Sequence, residues 1–444
     1  MKTYDDYRPS GVQWIGKIPS HWEVLKTKFI CSSIYAGGTP STTRPEYWNG
    51  DIPWVASGAC HDCEISEGSK FITEIGLMQS STKMIPANTA LVAMTGATCA
   101  NTGYLKINAC ANQSVTAYIN IPDFCDSRYL WYVLQSAREE LLTYKTGGAQ
   151  GGINVKDCAN IKVCFPPLAE QEAIAKYLDY KAVQVDSIID NNQHQIALLE
   201  ELKSSVISHA VTRGINPDAP LKPSGIDWLG DIPQHWVIER LKFLCRKEKY
   251  NMKTGPFGTQ LKGDDLKDEG DVRVYNQRNV IDKQFEEVKF YVTQKKADSL
   301  KSFYTKPGDI LITARGTIGK AAVLSDKYEM GILHPCLIAI RTDDEIIDKN
   351  FLLYYFNYFE GFKTNIMLES NATTIEVIYT ETLKNIFIAV PPIDEQQAIV
   401  TYLDQRIAKI DAQITKIQMQ NQLLQEYKSS LINEVVTGKR KVID

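Results

Sequence analysis

A chain that spells the same two phrases twice is constrained to fold in two related halves. "SGVQWIGKIPSHW" (Ser10–Trp22) returns as "SGIDWLGDIPQHW" (Ser224–Trp236), identical at eight of thirteen positions and 214 residues later. "PPLAEQEAIAKYLD" (Pro166–Asp179) returns as "PPIDEQQAIVTYLD" (Pro391–Asp404), with nine of fourteen identities and 225 residues later. The unequal offsets mean that the blocks between the phrases differ by eleven residues. The plan is phrase, variable block, helix, then the same again. Solenoid repeats run to about 20–50 residues, so this period implies two domain-sized halves related by a pseudo-twofold.

Each second phrase opens a long helix, with Pro-Pro closing the strand before it. The first helix carries a seam at Ile174, Leu178, Ala182, Val185, Ile189, Asn192, Ile196, Leu199, Lys203 and Val206. The second carries Ile399, Leu403, Ile407, Ile410, Ile414, Ile417, Asn421, Leu424, Lys428, Leu431 and Val435. Steps of three and four sustained over several heptads predict a coiled coil. Some forty residues at about 1.5 Å each make a rod of roughly 60 Å. Gly214 and Gly438 follow the two helices. The seam asparagines are not equivalent by the repeat, since Asn192 aligns with Ile417 and Asn421 with Ile196. A parallel pairing would set each amide against isoleucine. An antiparallel pairing with Asn192 opposite Asn421 satisfies both, leaves Lys203 and Lys428 at the flanks, and fixes the register.

The variable blocks, residues 31–164 and 245–389, hold short apolar or alternating segments broken by Gly, Pro and Asn, with helical stretches among them. They predict small curved sheets in α+β domains. Both blocks share a skeleton, with Gly96 matching Gly316 and Tyr129 matching Phe351, and little else. Repeated text suits a task common to both halves, and divergent text a task that differs. The ten scattered cysteines have no disulfide-framework spacing and read as reduced thiols of a cytoplasmic protein. No apolar run is long enough to span a bilayer.

The layout, the "SGVQWIGKIPSHW" phrase, the "FPPLAEQEAIAKYLD" helix start and the "GGTPSTTRPEYWNGDIPWV" loop together resemble the DNA-specificity subunit of type I restriction-modification systems, over essentially the whole chain. The resemblance implies two target-recognition domains: residues 1–164 with the phrase 10–22, and residues 215–389 with the phrase 224–236. It implies two conserved helices pairing antiparallel, at 165–214 and at 390–444 with a basic tail. It also implies a bipartite double-stranded DNA target, two adenine-methyltransferase subunits that hold S-adenosylmethionine, and motor-nuclease subunits. The chain itself is then a non-catalytic reader and scaffold with no cofactor of its own.

The chemical motifs agree. No Asn/Asp-Pro-Pro-Tyr/Phe stretch of an amino-methyltransferase is present. "RGTIGK" (Arg315–Lys320) is too short for a phosphate loop and lacks its Ser/Thr. Cys60, His61 and Cys63 in "ACHDC" fall short of the four ligands of a structural zinc site, and no second cluster completes them, so no metal is expected. The formal net charge is −4. Residues 31–164 hold nine Lys+Arg against eleven Asp+Glu, and residues 245–389 hold twenty-one of each. Bulk electrostatics therefore does not hold this chain on DNA, and partners are expected to supply many phosphate contacts.

Base readout uses Arg on guanine and Asn or Gln on adenine. The candidates in the first block are Thr39, Ser41, Thr42, Arg44, Tyr47, Asn49, Gln113, Gly148 and Gln150. In the second they are Thr254, Phe257, Gln260, Gln277, Arg278, Asn279, Arg315, Thr317, Lys320, His334 and Thr373. Trp14, Trp22, Glu170, Gln171 and their repeats Trp228, Trp236, Glu395, Gln396 suit a shared scaffold or a surface offered twice to one partner. Base readers, by contrast, should differ between halves. Two heads in successive major grooves sit about one turn apart, which leaves roughly five to eight unread base pairs between half-sites of about three to five.

Overall fold

The computed structural model describes residues 3–147, 151–369 and 377–442. It divides into two compact units, one of Met1–Gln193 with Gln418–Asp444 and the other of His194–Ile417. Each contains a head of small sheets and part of each long helix.

The first head uses β1 (Glu23–Lys26), β2 (Cys31–Ala36), β3 (Trp48–Val55), β4 (Cys63–Ile65), β5 (Lys70–Ile72), β6 (Thr89–Ala93), β7 (Thr102–Leu105), β8 (Cys110–Ala111), β9 (Val115–Asn120), α1 (Ser127–Ser136) and β10 (Lys162–Phe165). Its sheets have the orders β2-β9-β6-β7-β4, β8-β3-β5 and β10-β1. Every residue of β6 is buried. Ala90 and Val92 face a core shared with Tyr129, Leu130 and Val133 of α1. Leu91 and Ala93 face the opposite way, among Val55, Ala111 and Val115. A strand covered on both faces reads as a continuous apolar run, which explains "TALVA".

After the long helix α2 (Leu168–Arg213), the second head repeats this frame with β11 (Val237–Arg240), β12 (Met252–Thr254), β13 (Val272–Tyr275), α3 (Gln277–Ile281), β14 (Phe290–Val292), β15 (Ile310–Thr313), β16 (Ala321–Val323), β17 (Ile332–Leu333), β18 (Leu337–Ile340), α4 (Lys349–Tyr358) and β19 (Phe387–Val390). Its sheets run β12-β18-β15-β16, β14-β13-β17 and β11-β19. One parallel pair recurs: β8 lies along β3 through Ala111 and Val55, and β17 along β13 through Leu333 and Tyr275, while the parallel β4 and β7 belong to the first head.

The repeated text forms the joint between each head and its helix. Trp22 and Trp236 are 0% exposed, so they anchor the core and offer no face for a DNA base to stack on. Trp14 and Trp228 pack partly buried on the same two cores. His21 Nε2 lies 3.0 Å from a Glu170 carboxylate oxygen, and His235 Nε2 lies 2.7 Å from one of Glu395. Gln171 is fully buried. Its Oε1 accepts the Asp126 N–H (2.9 Å), and its Nε2 donates to Pro166 (2.8 Å) and Phe124 (3.3 Å) carbonyls. Gln396 does the same, accepting from Asp348 (2.7 Å) and donating to Pro391 (2.8 Å) and Ile346 (3.0 Å). Asp126 and Asp348 are the N-caps of α1 and α4. One amide therefore ties the long helix to the start of the head helix in each unit.

The second long helix is α5 (Ile393–Val436). Every seam position of α2 and α5 is buried or half-buried, while most of the positions between them are exposed. The helices run antiparallel. In the first unit Asn192 Nδ2 donates to Asn421 Oδ1 at 2.7 Å, and Lys428 meets Asp186 at 2.7 Å. In the second unit Lys203 meets Asp411 at 2.7 Å, the same ion pair by the repeat. Burial works to lower the Lys203 pKa, but the hydrogen bond and charge of Asp411 hold it above the usual ammonium range. Gly214 and Gly438 follow the helices with φ of 76° and 73°, where a side chain is strained.

Replacing Gln171 or Gln396 by Leu keeps the volume and takes the partner from three backbone groups, one in a buried bond and two in part-buried ones. Each unsatisfied group costs about 1–3 kcal/mol. Either substitution should lower stability by roughly 3 kcal/mol or more, read from urea unfolding monitored within its own unit. A shift below about 1 kcal/mol would show that the joint does not depend on the amide.

Candidate nucleic-acid interface

Four loops of the second head converge beyond its strand ends. Gly255, following β12, donates its N–H to the Leu337 carbonyl at 3.0 Å, and a Cβ there would run into the His334 carbonyl. This close approach delivers Phe257, whose ring lies 4.8 Å beneath the Arg315 guanidinium. Arg315 follows β15 and bridges to Val377. A Cβ on Gly316 would lie 3.9 Å from Gln277 Nε2, so the Gln277 side chain borders the same spot. His334 closes the group, its N–H held by the Tyr275 carbonyl at 3.0 Å.

The first head builds the same frame with other side chains. Gly37 donates to the Val115 carbonyl at 3.0 Å, and a Cβ there would run into the Ala111 carbonyl. Thr39 follows and donates from Oγ1 to Gln113 Oε1. Asn112 N–H is held by the Val55 carbonyl at 2.9 Å, as His334 is by Tyr275. Thr95 bridges to Gly152, as Arg315 does to Val377. The positions facing Phe257, Gln277, Arg315 and His334 across the repeat are therefore Thr39, Ser57, Thr95 and Asn112. The last three are absent from the sequence-based candidates. The repeat itself could have found them, because the matched pair Gly96 and Gly316 carries Thr95 onto Arg315 and Ser57 onto Gln277 at one offset.

The remaining candidates sort by what their side chains already do. Ser41, Thr42, Arg44 and Asn49 are exposed on a loop pinned by two indoles: Trp48 Nε1 donates to the Ser41 carbonyl (3.1 Å) and Trp54 Nε1 to that of Gly38 (2.9 Å). Arg44 approaches Glu46 at 3.9 Å and lies 5.6 Å over the Tyr47 ring. Tyr47 is a correction to the sequence reading: it is 5% exposed and its hydroxyl is used on Gln79, because the loop needs an apolar filler. Asn279 is a second correction. Its Oδ1 accepts the Asn276 N–H, and its Nδ2 donates to the carbonyls of Gln284 and Glu287, so the buried amide closes its own loop. Arg278 is exposed and paired with Asp282 at 3.1 Å. Thr254 shares a hydrogen bond with Thr380. Gln260, Thr317 and Lys320 are exposed. Gly148, Gln150 and Thr373 lie outside the described residues.

Burial pushes the Cys60 thiol up to about 12, and Cys63 Sγ points at the Ala59 carbonyl. Among the described residues no group of three His, Cys, Asp or Glu could hold a metal ion. No helix among them is long and apolar enough to cross a membrane.

Burial holds the His334 imidazole below its usual pKa. Its Nδ1 accepts the Cys336 N–H at 3.3 Å, which leaves the hydrogen of the neutral ring on Nε2 as a donor. As pH falls through about 6.5 the unfolded chain takes up the proton first, so acid lowers the stability of the second unit. His334→Asn should flatten the change in its urea midpoint between pH 7.5 and 6.0. A wild-type unit that grows more stable over that interval would contradict the assignment.

Against known proteins, the family profile described as the type I restriction modification DNA specificity domain matches residues 19–201 and 248–425. The chain is 26% identical over 433 residues to the type I restriction enzyme MjaVIII specificity subunit of Methanocaldococcus jannaschii, covering 96% of this chain and 94% of that protein. Its fold is similar to a chain solved in work on complex assembly and conformational transition of the type I R-M system, with TM-score 0.70, 18% identity, and 94% and 98% of the two chains covered. It is also similar to the HsdS subunit from Thermoanaerobacter tengcongensis, with TM-score 0.51, 17% identity, and 95% and 98% covered.

Proposed function

The chain belongs to the family of type I restriction-modification DNA specificity subunits, and from that premise we propose that each head reads one half of a bipartite site while the helices carry two adenine-methyltransferase subunits and, through them, the motor-nuclease subunits. The chain recognises DNA sequence and is not the catalytic component. It acts in the cytoplasm, and S-adenosylmethionine belongs to the partner. The observation that carries this reading is the loop frame built twice on the same backbone contacts with different side chains at the matched positions. One architecture thus presents two chemistries, as two unlike half-sites require. Val183 and Met419, 69% and 61% exposed on the long helices, offer apolar surface for protein partners.

Co-expressed with its methyltransferase partner, the chain should direct methylation to adenines in a split sequence with roughly five to eight unread base pairs. Genome-wide mapping of methylated adenines with and without this gene tests it, and one uninterrupted site would sink the two-head reading. The lone chain should bind DNA weakly and with modest selectivity. Nanomolar, fully specific binding at physiological salt would contradict a role for partner phosphate contacts.

The amide pair serves as the register lock. Asn192→Leu or Asn421→Leu alone should destabilise by about 1–3 kcal/mol by orphaning the other amide. The double substitution should recover most of that loss while loosening the allowed spacing between half-sites. Independent, additive losses in the double-mutant cycle would refute the lock.

A further inference from the structure

Eight arginines lie in the two variable blocks. Seven hold a carboxylate: Arg44, Arg128, Arg138, Arg246, Arg273, Arg278 and Arg341 all lie within ion-pair distance of an Asp or Glu. Arg315 has no carboxylate partner among the described residues. Its neighbour is the face of Phe257 at 4.8 Å. Phe257 is itself out of place by burial, since 47% of it is exposed, and it fills no hydrophobic core. An exposed phenyl ring beneath a half-buried guanidinium with no carboxylate partner among the described residues does nothing for folding that Leu and Lys would not do.

Stacking fixes the plane of a guanidinium and leaves its N–H edge free. A phosphate contact needs only positive charge within reach. A flat donor fork held in one plane instead suits the two acceptors O6 and N7 of guanine in the major groove. The surroundings agree. Gln277 borders Gly316 and the neutral His334 belongs to the same group of loops, so uncharged hydrogen-bonding side chains stand near this arginine. At the matched position the first head carries Thr95, which has no such fork.

Resting on the DNA-reading role above, we propose that Arg315 reads a guanine in the half-site of the second head, and that Phe257 is the positioning residue that sets its plane. The guanine supplies O6 and N7 as acceptors, and the first half-site has no counterpart to this contact.

The test uses the chain assembled with its methyltransferase partners and a randomised duplex library, with methylated products sequenced. The wild type defines the split site, and a wild type that selects no split site defeats the underlying function rather than this assignment. Arg315→Gln and Arg315→Lys should each relax one G·C pair of one half-site by about 10- to 100-fold in discrimination, with selectivity at the other half-site intact. Lys keeps the charge and loses the fork, so its failure to rescue separates base reading from phosphate binding. Phe257→Leu should weaken discrimination at that same pair, by less, and at no other. Intact selectivity at the other half-site reports a folded complex in each variant. Three results would overturn the proposal: uniform weakening at every position with a shallower salt dependence, rescue by Lys, or relaxation at an A·T pair.

Discussion

Two fully buried amides, Gln171 and Gln396, set the condition on which the rest depends. Each satisfies one N–H and two carbonyls, two of them from the segment that starts the head helix and one from the residues just before the long helix. An apolar side chain would leave those groups unpaired, and Glu would bring a charge into a dry site. With the amide in place, the first turn of the long helix, the cap of the head helix and the loop before it move as one body. The neighbouring Glu170 and Glu395 extend the same joint to the His-Trp phrase, where His21 and His235 face them. A head that swivelled on its helix could not use any register set along the seam.

Much of this was legible in the sequence because the duplication marks what both units share. The seam was read position by position, and all its members are buried or half-buried. The strands were less legible for a physical reason. They are two to eight residues long, and the central ones are covered on both faces, so no period of two survives in the text. The parallel contact of β8 is two residues long and leaves no signature at all.

The candidate interface residues were legible as loops and not as roles. Asn279 and Gln277 are polar residues of the same short segment, yet one closes the loop with three hydrogen bonds while the other borders Gly316. Composition cannot separate an amide turned inward from one turned outward. Tyr47 was misread for the converse reason: an aromatic residue in a polar loop also serves as the loop's own core. Thr95, Ser57 and Asn112 were missed because each is unremarkable alone. Their significance comes from the residues that the other head places on the same frame.

That frame explains how recognition can diverge while the fold does not. Gly37 and Gly255 press the loop backbone onto a neighbouring carbonyl, and the bonds their N–H groups donate to the Val115 and Leu337 carbonyls fix the loop's path without using a single side chain. Side chains at the next positions are then free of structural duty. Thr39 in one head and Phe257 in the other stand at matched positions, and each meets a partner from a different loop, Gln113 for Thr39 and Arg315 for Phe257. Because the path is held by main-chain bonds, exchanging one pair for another changes which donors and acceptors face outward and leaves the sheets, the joint and the helices as they are.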